Sequence, residues 1–159
     1  MTFTKQDLLE TIHKMHSQTY CAPKEVRERN RAKIIDGHKG FLVLNGDWKY
    51  VDFYSGHEWA PGKEIMYFKE KPVWTMSYQG QVDDRLSEDF INETYGFLKS
   101  ALLASSASVP FRGLDGFCSG DFKYEFKFDG EYSYFVGRES VMHKGSEIFF
   151  QDVMGSLIK

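Results

Sequence analysis

The chain has 159 residues, long enough for one domain with a core and too short for two of ordinary size. Apolar residues make up 42% and charged residues 27%, which excludes a disordered or membrane-spanning class. The formal net charge of −3 supplies no broad basic surface, so neither nucleic acid nor a membrane is an expected partner.

The opening segment MTFTKQDLLETIHK holds no apolar run of signal-peptide length. Cys21 and Cys118 stand far apart, without the spacing of a zinc or CxxC site. The expectation is therefore a cytoplasmic protein with two reduced thiols. Over residues 4–19, Thr4 and Asp7 have the spacing of a capping box, and Leu8, Leu9, Ile12 and Met15 form one stripe, which predicts an amphipathic helix. Residues 22–38 mix Lys24, Arg27, Arg29, Arg31 and Lys33 with Glu25 and Glu28, and read as a solvated connection or short helix.

From residue 41 the apolar period changes to two. Strands are predicted at 41–44, 48–54, 63–69 and 73–79, with turn signals at Asn45-Gly46, Gly56, Pro61-Gly62 and Glu70-Lys71-Pro72. Residues 87–104 predict a second helix, with Ser87 as N-cap, Glu88 and Asp89 in the first turn, and Ile91, Tyr95, Leu98 and Leu102 along one face. Strands return at 122–128, 131–137, 140–143 and 148–153, with turns at Asp129-Gly130 and Lys144-Gly145.

The second strand set repeats the first. Gly46-Asp47-Trp48-Lys49-Tyr50 aligns with Gly120-Asp121-Phe122-Lys123-Tyr124 at an offset of 74. One inserted residue later the offset is 75, carrying Gly62 to Gly137, Glu64 to Glu139, Val73-Trp74 to Ile148-Phe149 and Gly80 to Gly155. The expected fold is α+β: two similar helix-plus-antiparallel-meander halves, about 4–82 and 87–157, packed as a single domain because neither buries its apolar face alone.

Where the halves differ, chemistry is expected. Residues 48, 50, 52 and 54 share one strand face, giving Trp48, Tyr50, Asp52 and Tyr54, whereas the matching face is Phe122, Tyr124, Phe126 and Phe128. A carboxylate among aromatics is costly unless it is paired. The next inward face offers Trp74, Met76 and Tyr78; if the two faces coincide, these seven residues form an aromatic wall with Asp52 as polar anchor. A core-facing aromatic sheet would use the same residues. Glu64 and Glu139 occupy matching places, which favours a repeated structural job, with Glu64 retained as a secondary site candidate.

Several segments resemble, in order, a bacterial family of unknown function found free-standing or joined to helix-turn-helix regulators. They are Thr19-Tyr20, Asp47 to Gly56, Gly62-Lys63-Glu64, Pro72 to Gly80, Phe111-Arg112-Gly113, Asp129-Gly130 and Gly137-Arg138-Glu139. The resemblance implies a sensing or effector-binding module and adds Arg112 to the site candidates. This chain carries no DNA-binding unit, and it departs from the family pattern at Gln151-Asp152-Val153-Met154.

No GxGxxG, P-loop, GxSxG or HExxH pattern occurs, so no cofactor and no metal is expected; His13 and His16 read as a surface pair. The leading expectation is a noncatalytic module that binds a small molecule or peptide. The alternatives are a small hydrolase- or transferase-like enzyme with Asp52 or Glu64 as general base, aided by Tyr54 or Tyr78, and a protein-interaction module.

Overall fold

The computed structural model describes residues 3–159. Helix α1 spans Lys5–His16, α2 Lys24–Arg29 and α3 Glu88–Leu103. The strands are β1 (Lys39–Asn45), β2 (Trp48–Tyr54), β3 (Gly62–Phe68), β4 (Lys71–Val82), β5 (Cys118–Ser119), β6 (Phe122–Glu131), β7 (Tyr134–His143) and β8 (Ser146–Leu157). All eight join one antiparallel sheet in the order β1-β2-β3-β4-β8-β7-β6-β5, so the fold mixes helix and strand but is mostly sheet.

The helix starts follow their sequence signals. The Thr4 hydroxyl accepts from the Asp7 N–H at 3.1 Å, and the Asp7 carboxylate accepts from the Thr4 N–H at 2.7 Å, closing the capping box. The Ser87 hydroxyl accepts from the Phe90 N–H at 3.3 Å and starts α3. The charged segment after α1 holds only the six-residue α2.

Three turns depart from the sequence reading. Asp129-Gly130 lies inside β6, opposite Val136 and Phe135, and the chain reverses at Tyr132-Ser133 instead. Gly130 stays in the ladder with φ of 101°, where an added Cβ would sit 2.3 Å from the Tyr134 carbonyl oxygen. As a result β7 runs unbroken where two strands were predicted. The β3–β4 reversal uses Lys69-Glu70, both at positive φ, while Pro72 enters β4 beside a register shift between Met66 and Tyr67, where the ladder can spare its missing N–H. The first hairpin turns at Gly46-Asp47, because Asn45 pairs with Trp48.

One face of the sheet carries both long helices. Leu8, Ile12 and Met15 of α1 join Tyr50, Met66, Trp74 and Met76, and Ile91, Leu98 and Leu102 of α3 join Tyr124, Phe126 and Phe135, in one continuous core. Burying a side chain of this kind contributes about 1.5–3 kcal/mol, which is why the apolar period fixes the inner face. The outer face leaves Ser77, Gln79, Asp152 and Met154 exposed.

Candidate functional site

The register of β2 on β3 sets Asp52 directly opposite Glu64. Both lie on the helix side and are buried, at 3% and 1% exposure. Opposed side chains on antiparallel strands have Cβ atoms about 5 Å apart, so two carboxyl groups occupy one small, poorly solvated volume. Burial, and then the charge of Asp52, pushes Glu64 up to about 8. Burial pushes Asp52 up to about 6, opposed by the Tyr78 hydroxyl and Arg112. At neutral pH the pair therefore shares one proton, held mainly by Glu64.

Arg112, on the loop between α3 and β5, is the buried counter-ion. Its Nη2 lies 2.5 Å from Glu139 Oε1 and its Nη1 3.6 Å from Glu64 Oε1. The Tyr124 hydroxyl donates to Glu139 Oε2 at 2.6 Å and accepts from the Gly113 N–H at 2.9 Å, which fastens the loop. Gly113 is required for that approach, since a Cβ there would meet the Ala101 carbonyl oxygen at 2.8 Å. Tyr78 donates to Asp52 Oδ1 at 2.6 Å, and its ring lies over Gly62, where a Cβ would come within 2.3 Å of Cζ.

His16, in the last turn of α1, brings Nε2 to 3.9 Å from Glu64 Oε1. Burial, with Arg112 and His13 adding to it, holds its pKa down to about 3, so the ring is neutral and the contact is not an ion pair. His16, Asp52, Glu64, Tyr78 and Arg112 border a cavity of about 220 Å³ between the sheet, the end of α1 and α3. Tyr20, Tyr54 and Tyr95 add aromatic wall, and Gln151 of β8 reaches it from the far half of the sheet. His16 Nδ1 and Arg112 Nε are buried without a hydrogen-bond partner among the described residues, and Tyr50 Oη and Glu64 Oε2, close enough to act on one another, form no well-aligned bond. Buried polar groups are almost always paired, so this concentration of unpaired ones sets the region apart from ordinary core.

The seven residues of the expected wall do share a face, yet the structure divides them. Asp52, Tyr54 and Tyr78 line the cavity, as do Glu64 and Arg112. Tyr50, Trp74 and Met76 are fully buried in the core beneath α1, and Trp48 packs on Phe3 and Phe68 at ring distances of 5.1 and 4.8 Å. They do not reach the cavity. The physical reason is coverage: α1 and the Phe111 loop close over one end of the inner face and leave the other open. His16, Tyr20 and Gln151 were not singled out as site residues from sequence. Gln151 carried a usable signal, a polar residue on the β8 face otherwise made of Phe149, Val153 and Gly155. His13 turns away and meets the Ser105 hydroxyl at 3.2 Å. Among the described residues no group of three His, Cys, Asp or Glu side chains is placed to hold a metal ion.

The titration of this cluster has a definite sign. Glu64 rises from an ordinary 4.5 to about 8, so between those values the folded state binds more protons and stability falls as pH rises. Asp52 acts the same way from 3.8 to about 6. His16 acts oppositely: between about 3 and 6.5 the unfolded state holds the extra proton, so stability falls as pH drops. Above pH 6.5 only Glu64 remains active in the cluster, and the melting temperature is expected to fall from there to pH 8. Glu64→Gln, which fixes the neutral form, should flatten that slope; a wild-type curve that is level or rising over the interval would contradict the assignment.

A family model described as "Domain of unknown function (DUF5680)" matches residues 52–158, from Asp52 to beyond Gln151. No curated protein and no solved structure matches the chain.

Proposed function

The chain belongs to this family of domains of unknown function, DUF5680, and we propose that it is a small-molecule-binding module of the sensing type, its ligand held in the cavity beside Asp52. The observation that supports this reading best is the conjunction of a cavity with unpaired buried polar atoms on its walls. A water occupies about 30 Å³ of liquid, so the volume suits a ligand of roughly seven non-hydrogen atoms. A cytoplasmic location is part of the same reading: neither thiol is in a disulfide, and burial pushes Cys21 up to about 12. Among the described residues no helix is long and apolar enough to cross a membrane.

The reading includes descent of the two halves from one duplicated helix-plus-meander unit in a single domain. The β4–β8 register supports it: Tyr78 pairs with Val153, the residue 75 positions on. Gly80 opposite Gln151 and Met76 opposite Gly155 are then images of one another. The turns Lys69-Glu70 and Lys144-Gly145, all at positive φ, match at the same offset. The cavity draws on the positions that differ, with Asp52, Tyr78 and Gln151 answering to Phe126, Val153 and Met76.

A thermal-shift screen against metabolites tests the binding reading. A ligand at about 100 times its dissociation constant stabilises by about 2.7 kcal/mol, or roughly 5–10 °C in a chain of this size. The shift should shrink in Asp52→Asn and in Gln151→Leu. Hits that stabilise both variants as well as wild type would place the ligand elsewhere.

One observation favours a second reading, catalysis. Asp52 and Glu64 are adjacent carboxyl groups whose pKa values are separated, an arrangement that lets one act as base while the other donates a proton. It requires turnover that Asp52→Asn abolishes while the fold is retained.

A further inference from the structure

The cavity changes sign between floor and mouth. At the floor, Asp52 accepts only from Tyr78, through Oδ1, and has no cation within ion-pair distance among the described residues. Gln151, 6% exposed and three strands from Asp52 in the sheet, lines the same cavity, and its carboxamide makes no hydrogen bond to the described residues. Arg112 is committed to Glu139 and Glu64. The floor thus offers acceptors and a negative charge that, among the described residues, only the Tyr78 hydroxyl and the otherwise engaged Arg112 offset.

The mouth is the reverse. Lys99 of α3 is half-buried, with Nζ 5.0 Å from the centre of the Tyr20 ring, and it forms no salt bridge among the described residues. Burial and then Arg27 lower its pKa, with Arg31 adding to the effect and Cys21 opposing it. Lys39 closes the rim, bonded only to the Gly56 carbonyl at 3.3 Å, with Nζ 5.6 Å from the Tyr54 ring centre. Exposed cations usually find acids or open water. A half-buried ammonium among like charges gains from an incoming anion what the face of one tyrosine ring does not supply.

A purely cationic ligand would satisfy the floor and be repelled by the rim. A purely anionic one would satisfy the rim and leave Asp52 unneutralised beneath it. We infer that the ligand is a small zwitterion, an α-amino acid or a similarly compact ammonium carboxylate, bound with its ammonium group inward on Asp52 and its carboxylate outward on Lys99 and Lys39. This assignment rests on the small-molecule-binding reading and narrows it to one chemical class.

The test is calorimetric titration with matched triads: the twenty protein amino acids, the amine left by removing each carboxylate, and the acid left by removing each amino group. At least one amino acid should bind, with its amine and its acid each about ten- to a hundredfold weaker, the range expected for losing a charge-assisted hydrogen bond in a desolvated site. The variants should cross over. Asp52→Asn, which keeps an acceptor for Tyr78, should weaken the amino acid and the amine but not the acid. Lys99→Met should weaken the amino acid and the acid but not the amine, and melting curves check that both variants fold. The zwitterion assignment is overturned if an amine or an acid is the best member of its triad, if the variants weaken all three alike, or if no triad binds. The cavity reading survives any of these results provided metabolite hits still respond to Gln151→Leu, and it falls if they do not.

Discussion

Replacing Arg112 with methionine is expected to destabilise the protein by about 3–5 kcal/mol, the cost typical of removing one partner from a buried ion pair. The guanidinium is 5% exposed and Glu139 0% exposed, so the substitution strands a carboxylate that retains only the Tyr124 hydroxyl as donor. It also releases the positive charge that restrains Glu64. For a chain of this length the loss corresponds to a drop in melting temperature on the order of 10 °C. Adding Glu139→Gln to Arg112→Met should restore part of the loss, because the second change removes the stranded charge, and a double-mutant cycle measures the coupling. A single-variant cost below about 1 kcal/mol would mean that the loop is held by Phe111 and Gly113 alone and that the buried charges are nearly neutral in effect.

Trp74→Ala should cost a similar amount, about 3–5 kcal/mol, for a different reason. The indole is fully buried beside the Phe111–Phe135 stack, 5.9 Å and 6.4 Å from the two rings, and its N–H donates to the Tyr132 carbonyl at 3.2 Å. Truncation leaves the Phe111–Phe135 pair without its third ring and opens a void in the core beside it. Trp74→Phe keeps most of the stack, gives up the one hydrogen bond, and should cost clearly less. Urea unfolding measures both variants. Ligand affinity per folded molecule should be unchanged in Trp74→Phe, whereas lost affinity without lost stability would return Trp74 to the ligand site.

The contrast between Trp74 and Asp52 shows how far the residues alone could reach. Alternation fixed which side chains share the inner face, and a lone carboxylate on an aromatic strand identified Asp52 as the unusual member. Whether a given stretch of that face is cavity or core depends on what covers it, and the coverage comes from α1 and from the loop around Phe111, distant in sequence. For the same reason His16 and Arg112 reach Glu64 by tertiary placement that no local pattern encodes. Cap signals read well because the groups that satisfy them lie three residues apart. The turns were harder: Asp129-Gly130 has the composition of a hairpin turn, but pairing with Val136 and Phe135 extends the ladder past it. Lys69-Glu70 turns with no glycine, its left-handed backbone imposed by the strands on either side.

The charges at the middle of the sheet do not come out even. Glu64 and Glu139 stand at matching positions, and one guanidinium must answer both. Glu139 wins that competition, gaining the short contact and a tyrosine hydroxyl, and it is sealed in the core. Glu64, left at the longer distance, resolves its deficit by keeping a proton and faces the cavity. However alike the two backbones are, an odd number of cations cannot be divided equally between two acids. That shortage leaves one of them closely paired and the other at the cavity wall with only a distant cation.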